Sequence, residues 1–270
     1  MKLKLTLLLL LIGFFTQAKD KHATIYFTNG QSEKGYIASF LEDKFFDFNL
    51  FGTFEQGLVY NDKTVKFKAD ENSDSKKVAI GDIDKIVIHY DGFNKEYKAL
   101  FIRNIDRKGF LQESKSRIFL PLLGSGKVNV YGFYHTETSS NPGGKFPSSS
   151  TVTVTELFYY QNANENYAID YYNIEIQDMF NIRDRLANPL KELFKDCPEL
   201  VTKVDNLMYE KNLSKEEKKK LKAESKDTYK AMQRAYNKIP ADEKRGDLML
   251  YHNTFMKTFN DLLLEYEDCK

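Results

Sequence analysis

The chain reads as an α+β fold: an antiparallel β-rich N-terminal half, either a sandwich or a partly open barrel, followed by a helical C-terminal region. Three observations lead there. Short apolar runs of period two, separated by Gly, Asn, Asp and Ser turns, fill residues 19 to 177. Near Asp178 the apolar spacing changes to three and four, the period of a helix face. The composition, 41% hydrophobic and 29% charged over 270 residues, is that of a globular protein and excludes a disordered or collagen-like chain. The division is therefore a leader over 1–18, a β-rich domain over 19–177 and a helical region over 178–270.

The leader comes first. Lys2 and Lys4 precede an apolar run from Leu5 to Phe15, and Thr16-Gln17-Ala18 ends it as a small-x-small cleavage site, the pattern of a secretory signal peptide. As a helix that run rises about 16 Å, too short for a hydrocarbon core of about 30 Å. No later stretch is long and apolar enough to span a bilayer, so the expectation after signal removal is a periplasmic or secreted protein with no transmembrane span. Cleavage would lower the formal net charge of +1 by two. With 40 basic residues against 39 acidic ones, no surplus of cations exists for nucleic-acid binding, and none is expected.

In the β-rich half, Ala23 to Phe27 leads through Asn29-Gly30, a hairpin signal, into Gly35 to Phe40. Val65 and Phe67 alternate in the next run, followed by Ile86, Ile88 and Tyr90 on one face with Val87 and His89 on the other. Between Lys127 and His135 the spacing puts Val128, Val130 and Tyr134 on one face and Asn129, Tyr131, Phe133 and His135 opposite. Val152 and Val154 open an alternation whose apolar parity shifts by Leu157 and Tyr159, which predicts a bulge. Tyr167, Ile169 and Tyr171 close the set. Thr138 to Ser150, rich in Ser, Pro and Gly, reads as an exposed excursion.

In the helical region, Met179, Ile182, Leu186, Leu190 and Leu193 paint one stripe, interrupted by Asn188-Pro189, which has the chemistry of a helix restart. Cys197-Pro198 reads as a second start. Ser214-Lys215-Glu216-Glu217 is a capping box that opens a third helix, which Pro240 ends. A single last helix carries Leu248, Tyr251, Phe255, Phe259, Leu262 and Tyr266 on one face.

Catalytic, cofactor and metal chemistry find no constellation, so the expectation is no catalytic residue, no cofactor and no metal ligand. The four His residues, His22, His89, His135 and His252, lack the spacing of a zinc-protease motif. Gly124-Ser125-Gly126-Lys127 fails as a phosphate loop because Pro121 and Val128 stand where Gly and Ser or Thr are needed. It fails as a nucleophile elbow because Leu123 and Lys127 replace the flanking glycines, and it reads as a turn. Asp70 to Ser75 begins like a calcium loop but has Ser75 at the sixth place and Gly81 at the twelfth. Asp82 and Asp84 would share a face if extended, and Tyr131, Tyr159 or Tyr171 could offer a stacking surface for sugars. Lys218-Lys219-Lys220 and Lys222, interleaved with Glu216, Glu217 and Glu224, read as a solvated helix face. The two cysteines, Cys197 and Cys269, form an even count that in an oxidising compartment invites a disulfide closing about 73 residues, stabilising by up to about 4 kcal/mol. The alternative is two unrelated thiols.

Phe119 to Tyr131, the Tyr-rich Leu157 to Gln161 and the acidic-Cys-Pro feature Asp196-Cys197-Pro198-Glu199 within Leu190 to Val204 together resemble a loose group of exported proteins of Bacteroidota. The resemblance implies an envelope location in a Gram-negative cell and no particular activity. The chain departs from that group in its longer helical tail after Asn212. The reading is an exported, non-enzymatic envelope protein, a binding or interaction module that meets an envelope protein partner through its C-terminal helices. The alternatives are a hydrolase acting on envelope or extracellular polymers through a carboxylate pair, and a small-ligand carrier.

Overall fold

A computed structural model describes residues 20–37, 63–106, 108–141, 149–170, 187–208, 214–240 and 247–269. The leader 1–18, Tyr171, and the stripe positions Met179, Ile182 and Leu186 lie outside the described residues. The fold is α+β, with ten strands among the described residues followed by helices. Its contacts divide it into two units, and the division falls inside one long strand, between Ala99 and Leu100.

The first unit is an antiparallel sheet. It comprises β1 (Lys21–Phe27), β2 (Ser32–Ile37), β3 (Thr64–Lys68), β4 (Lys76–Ala79), β5 (Ile83–Tyr90) and the first residues of β6 (Phe93–Ile105), in the order β6-β5-β1-β2-β3-β4. The Asn29-Gly30 hairpin forms as its sequence demands: Gly30 takes φ +83°, Gly30 N donates to Phe27 O at 3.0 Å, and Asn29 Oδ1 accepts from Gln31 N at 3.0 Å. One face carries the apolar set, with Ala23, Ile25, Ile37, Phe67, Ile83, Ile86 and Ile88 all fully buried. The alternation that selects Val65 with Phe67 and Ile86 with Ile88 is thus the one the sheet uses.

The second unit contains a closed barrel and the helices. The end of β6, β7 (Leu111–Gly124), β8 (Val128–Asn141), β9 (Ser149–Asn162) and β10 (Tyr167–Asp170) run in the order β6-β7-β8-β9-β10. A parallel pairing of β10 on β6, from Tyr167↔Phe101 to Asp170↔Asn104, closes the ring. Of the sandwich and the partly open barrel that the sequence allowed, the strands form a barrel, here closed by that pairing.

The expected bulge near Leu157 is not there. β8 and β9 pair without a break from Val128↔Asn162 to Asn141↔Ser149. The apolar parity changes because both faces of β9 are buried at this end: Leu157 and Tyr159 point to the barrel interior, Phe158 and Tyr160 to the helices. The register shift lies instead in the β7–β8 pairing, between Leu122 and Gly124.

Four helices carry labels: α1 (Pro198–Met208), α2 (Lys215–Lys238), α3 (Leu248–Phe255) and α4 (Lys257–Asp268). Residues 187–193 are also helical. Asn188 is already inside that run, so it caps nothing; its Nδ2 donates to Gly109 O at 3.4 Å. Pro198 takes the first position of α1, with Val201 N donating to Cys197 O at 3.0 Å. The capping box of α2 is complete: Ser214 Oγ accepts from Glu217 N at 3.3 Å, and Glu217 Oε2 accepts from Ser214 N at 2.7 Å. The helix ends at Lys238, with Ile239 extended before Pro240.

The single last helix of the sequence reading is two helices, broken at Met256. The stripe divides accordingly. Leu248, His252, Phe259, Leu262 and Tyr266 bury themselves with the barrel strands, whereas Tyr251 and Phe255 turn to α2. One continuous helix could not serve both neighbours with a single straight stripe.

Candidate functional site

The helices seat on the outer face of the barrel through Val128, Val130, Phe158, Tyr160, Tyr167 and Ile169, which meet Leu193, Phe194, Leu200, Val204, Phe259 and Leu262 in one core. Each such side chain contributes about 1.5–3 kcal/mol when fully buried. Among the described residues, the apolar faces of the helices at 187–193, 198–208 and 257–268 pack into this seam.

Polar groups within the seam act as latches. Asn162, at the end of β9, places its Nδ2 3.1 Å from Leu193 O, 3.1 Å from Asp196 Oδ2 and 3.0 Å from Tyr266 Oη, tying three segments together. Lys127 lies in the β7–β8 turn. Its backbone N donates to Glu267 Oε1 at 2.5 Å, and its Nζ donates to Tyr266 O at 3.2 Å and to Cys269 O, satisfying the last carbonyls of α4 with a cation. A Cβ on Gly126 would run into the Glu267 carboxylate, so the glycine permits this approach. The Gly124–Lys127 segment is the turn its sequence suggested, with a latching role the sequence did not disclose. Cys197 and Cys269 are bonded, with Cα atoms 6.1 Å apart, joining the start of α1 to the end of α4.

His252 is the most unusual group here. It is fully buried, its Nε2 is 2.7 Å from Tyr160 Oη, and its Nδ1 has no hydrogen-bond partner among the described residues. Phe158 and Phe259 pack edge-on against the ring. Burial pulls its pKa from 6.5 to about 4, with the neighbouring Asn253 side chain opposing the fall, so the ring is neutral near pH 7.

A second polar cluster stands where β10 meets the helical residues 187–193. Tyr167 Oη donates to Glu192 Oε1 at 2.5 Å, the Arg103 guanidinium lies 3.7 Å from the Tyr167 ring centre, and Lys195 pairs with both Glu165 and Glu192. Two carboxylates thus converge on one ammonium. The Tyr167 hydroxyl, then Lys195 and Arg103, hold the Glu192 carboxyl below its ordinary value against the opposing effect of burial. That direction keeps the carboxylate ionised and suits an ion-pair network; a general acid needs the reverse. Burial raises Glu156 instead, from a single position on β9.

The other sequence candidates are placed as follows. Tyr131 and Tyr159 are buried inside the barrel, where Tyr131 Oη donates to Gln161 Oε1 at 2.6 Å, so neither offers a stacking surface. Asp82 belongs to a short 3-10 turn (Ile80–Asp82) and Asp84 to β5, so the two are not on one extended face. Asp70 uses a carboxylate oxygen on Asn72 N at 3.0 Å within its own turn. His22 and His89 pair across β1 and β5, with ring centres 5.0 Å apart; only the strand register, not the spacing, brings them together. The side chain of His135 lies outside the described residues. Among the described residues, no group of three or more His, Cys, Asp or Glu stands close enough to hold a metal ion, and no helix is long and apolar enough to cross a membrane.

Comparison of the chain with protein-family models, with curated proteins and with solved structures gives no match.

What remains outward-facing is α2. Only Tyr229, Met232 and Tyr236 are half-buried among its described side chains, and Tyr229 and Tyr236 meet Tyr251 and Phe255 of α3 at ring distances of 5.3–5.7 Å. The other described side chains of this 24-residue helix are exposed. Among the described residues, its one ion pair within the helix is Lys220–Glu224 at 4.0 Å.

Proposed function

We propose that this protein is an exported, non-enzymatic binding module of the cell envelope, and that α2 is the element through which it binds. The observation that carries the reading is the contrast among helices. The others bury apolar residues in the barrel seam, while among its described side chains α2 half-buries only Tyr229, Met232 and Tyr236 and exposes the rest. A long helix with so little packing needs another reason for its length, and a binding surface supplies one. The signal-like leader and the bonded Cys197–Cys269 pair support an oxidising compartment. The Glu192–Lys195–Glu165 ion-pair network, in which the Glu192 carboxyl is held below its ordinary value, gives no support to acid/base hydrolysis, and the side chains buried in the barrel give none to ligand carriage.

The test is photo-crosslinking in intact cells, with a reactive amino acid placed singly at the exposed Gln233 or Ala231 of α2 and at the exposed Phe93 of β6 as comparison. Adducts to an envelope component, protein or lipid, from the α2 positions alone are the expected result. The same adduct pattern from Phe93, or none from α2, would refute the reading.

A further inference from the structure

The charges of α2 are unevenly spread around its axis. At about 100° per residue, Lys215, Lys219, Lys226 and Lys230 fall within an arc of about 60°; Arg234 and Glu216 share a position about 40° further round, Asp227 lies about 20° beyond them, and Glu217 and Glu224 lie farther away. The aromatic side chains Tyr229 and Tyr236 occupy a further arc and are turned to α3. All five cations are exposed, and none of them enters an ion pair among the described residues. From Lys215 to Arg234 they extend along about 28 Å of helix. Glu216 stands three residues before Lys219 and Asp227 three before Lys230, so the arc is predominantly rather than purely basic.

We infer that this basic arc of α2 is a docking surface for the anionic headgroups of a lipid bilayer, an inference that rests on α2 being the binding element. The geometry favours a plane. A row of lysines on one narrow arc meets a flat anionic surface along its length, with Glu217 and Glu224 turned away from it and Glu216 and Asp227 at its margin. In a nucleic-acid groove the helix is surrounded by phosphates, and Glu217, Glu224 and Asp227 would face them. The protein as a whole has almost no net positive charge to hold a polyanion, so attraction is local to this arc. The apolar face is already taken by α3, so the helix lies on the headgroups and does not insert.

The test uses the mature full chain with its disulfide intact, co-sedimented with vesicles of phosphatidylcholine alone or with about 30% phosphatidylglycerol, at low and at physiological salt. The comparison protein is the Lys219→Gln, Lys226→Gln, Lys230→Gln, Arg234→Gln variant, whose glutamines keep the helix and whose helicity is checked by circular dichroism. Binding to the anionic vesicles alone is expected, weakening with salt and falling by about fivefold for each cation removed. Equal binding of the variant, or no binding of the parent to anionic vesicles, would overturn the inference. So would a parent that ignores vesicles but binds duplex DNA. A protein crosslinked at α2 in cells, with no vesicle binding, overturns the lipid assignment while leaving α2 as the binding element.

Discussion

Acid should loosen the helix–barrel seam through one residue, His252. Its pKa is near 6.5 in an unfolded chain and about 4 in the folded one, where burial excludes the charged ring. The folded value is the lower, so the unfolded chain takes up the extra proton. The stability present above pH 6.5 is then lost as the pH falls through 4. The loss grows from about 1 kcal/mol at pH 5.5 to about 3 kcal/mol below pH 4, a large share of what holds a domain together. The perturbation is a pH series from 7.5 to 4.5, run on the parent and on His252→Phe. Phenylalanine fills a similar space but cannot titrate, although Tyr160 Oη loses its partner and the variant starts about 1–3 kcal/mol less stable. Urea unfolding read at the helices gives the midpoint at each pH. Other carboxylates weaken both proteins in acid, so the informative quantity is the difference in slope: the parent should lose more than the variant between pH 6.5 and 4.5. Proton NMR of the His252 ring provides the direct check. A ring that titrates near 6.5, or equal slopes in the two proteins, would refute the argument.

Three further outcomes follow from the packing. Replacing Cys197 and Cys269 together by Ala should reduce stability by about 2–4 kcal/mol, seen as a lower melting temperature than that of the oxidised parent. Phe259→Ala should cost about 3–5 kcal/mol, because the ring is buried 4.3 Å from the centre of Tyr160; denaturant midpoints measure it. Ser214→Ala removes half of a capping box and should weaken the start of α2 by about 1 kcal/mol, detectable as faster amide hydrogen exchange in its first turns.

Local chemistry was readable in the sequence and long-range geometry was not. The Asn29-Gly30 hairpin, the Ser214 capping box and the end of α2 before Pro240 depend on side chains acting within a few residues of themselves. The Tyr131 and Phe133 face was right for the same reason, since alternation is local. The apparent parity change at Leu157 misled because a second layer, distant in sequence, buries the outer face of β9 as well. Closure of the barrel is a parallel pairing between residues near 101 and 167, and nothing in either four-residue stretch announces its partner. His252 lay among apolar residues as an isolated histidine; only the seam supplies Tyr160 and the burial that shift it. Lys127 likewise acquires its role from carbonyls about 140 positions away.

The bond between Cys197 and Cys269 has a consequence for the fate of a damaged molecule. It encloses α1, α2, α3 and α4 within a single covalent loop, so α2, whose described side chains are mostly exposed, is also inside that loop. A protease that cuts α2 leaves no free fragment. Both halves stay tethered, the seam of α4 on the barrel survives the cut, and the nicked molecule migrates as two pieces only after reduction. The surface proposed for binding can thus be severed without the protein falling apart.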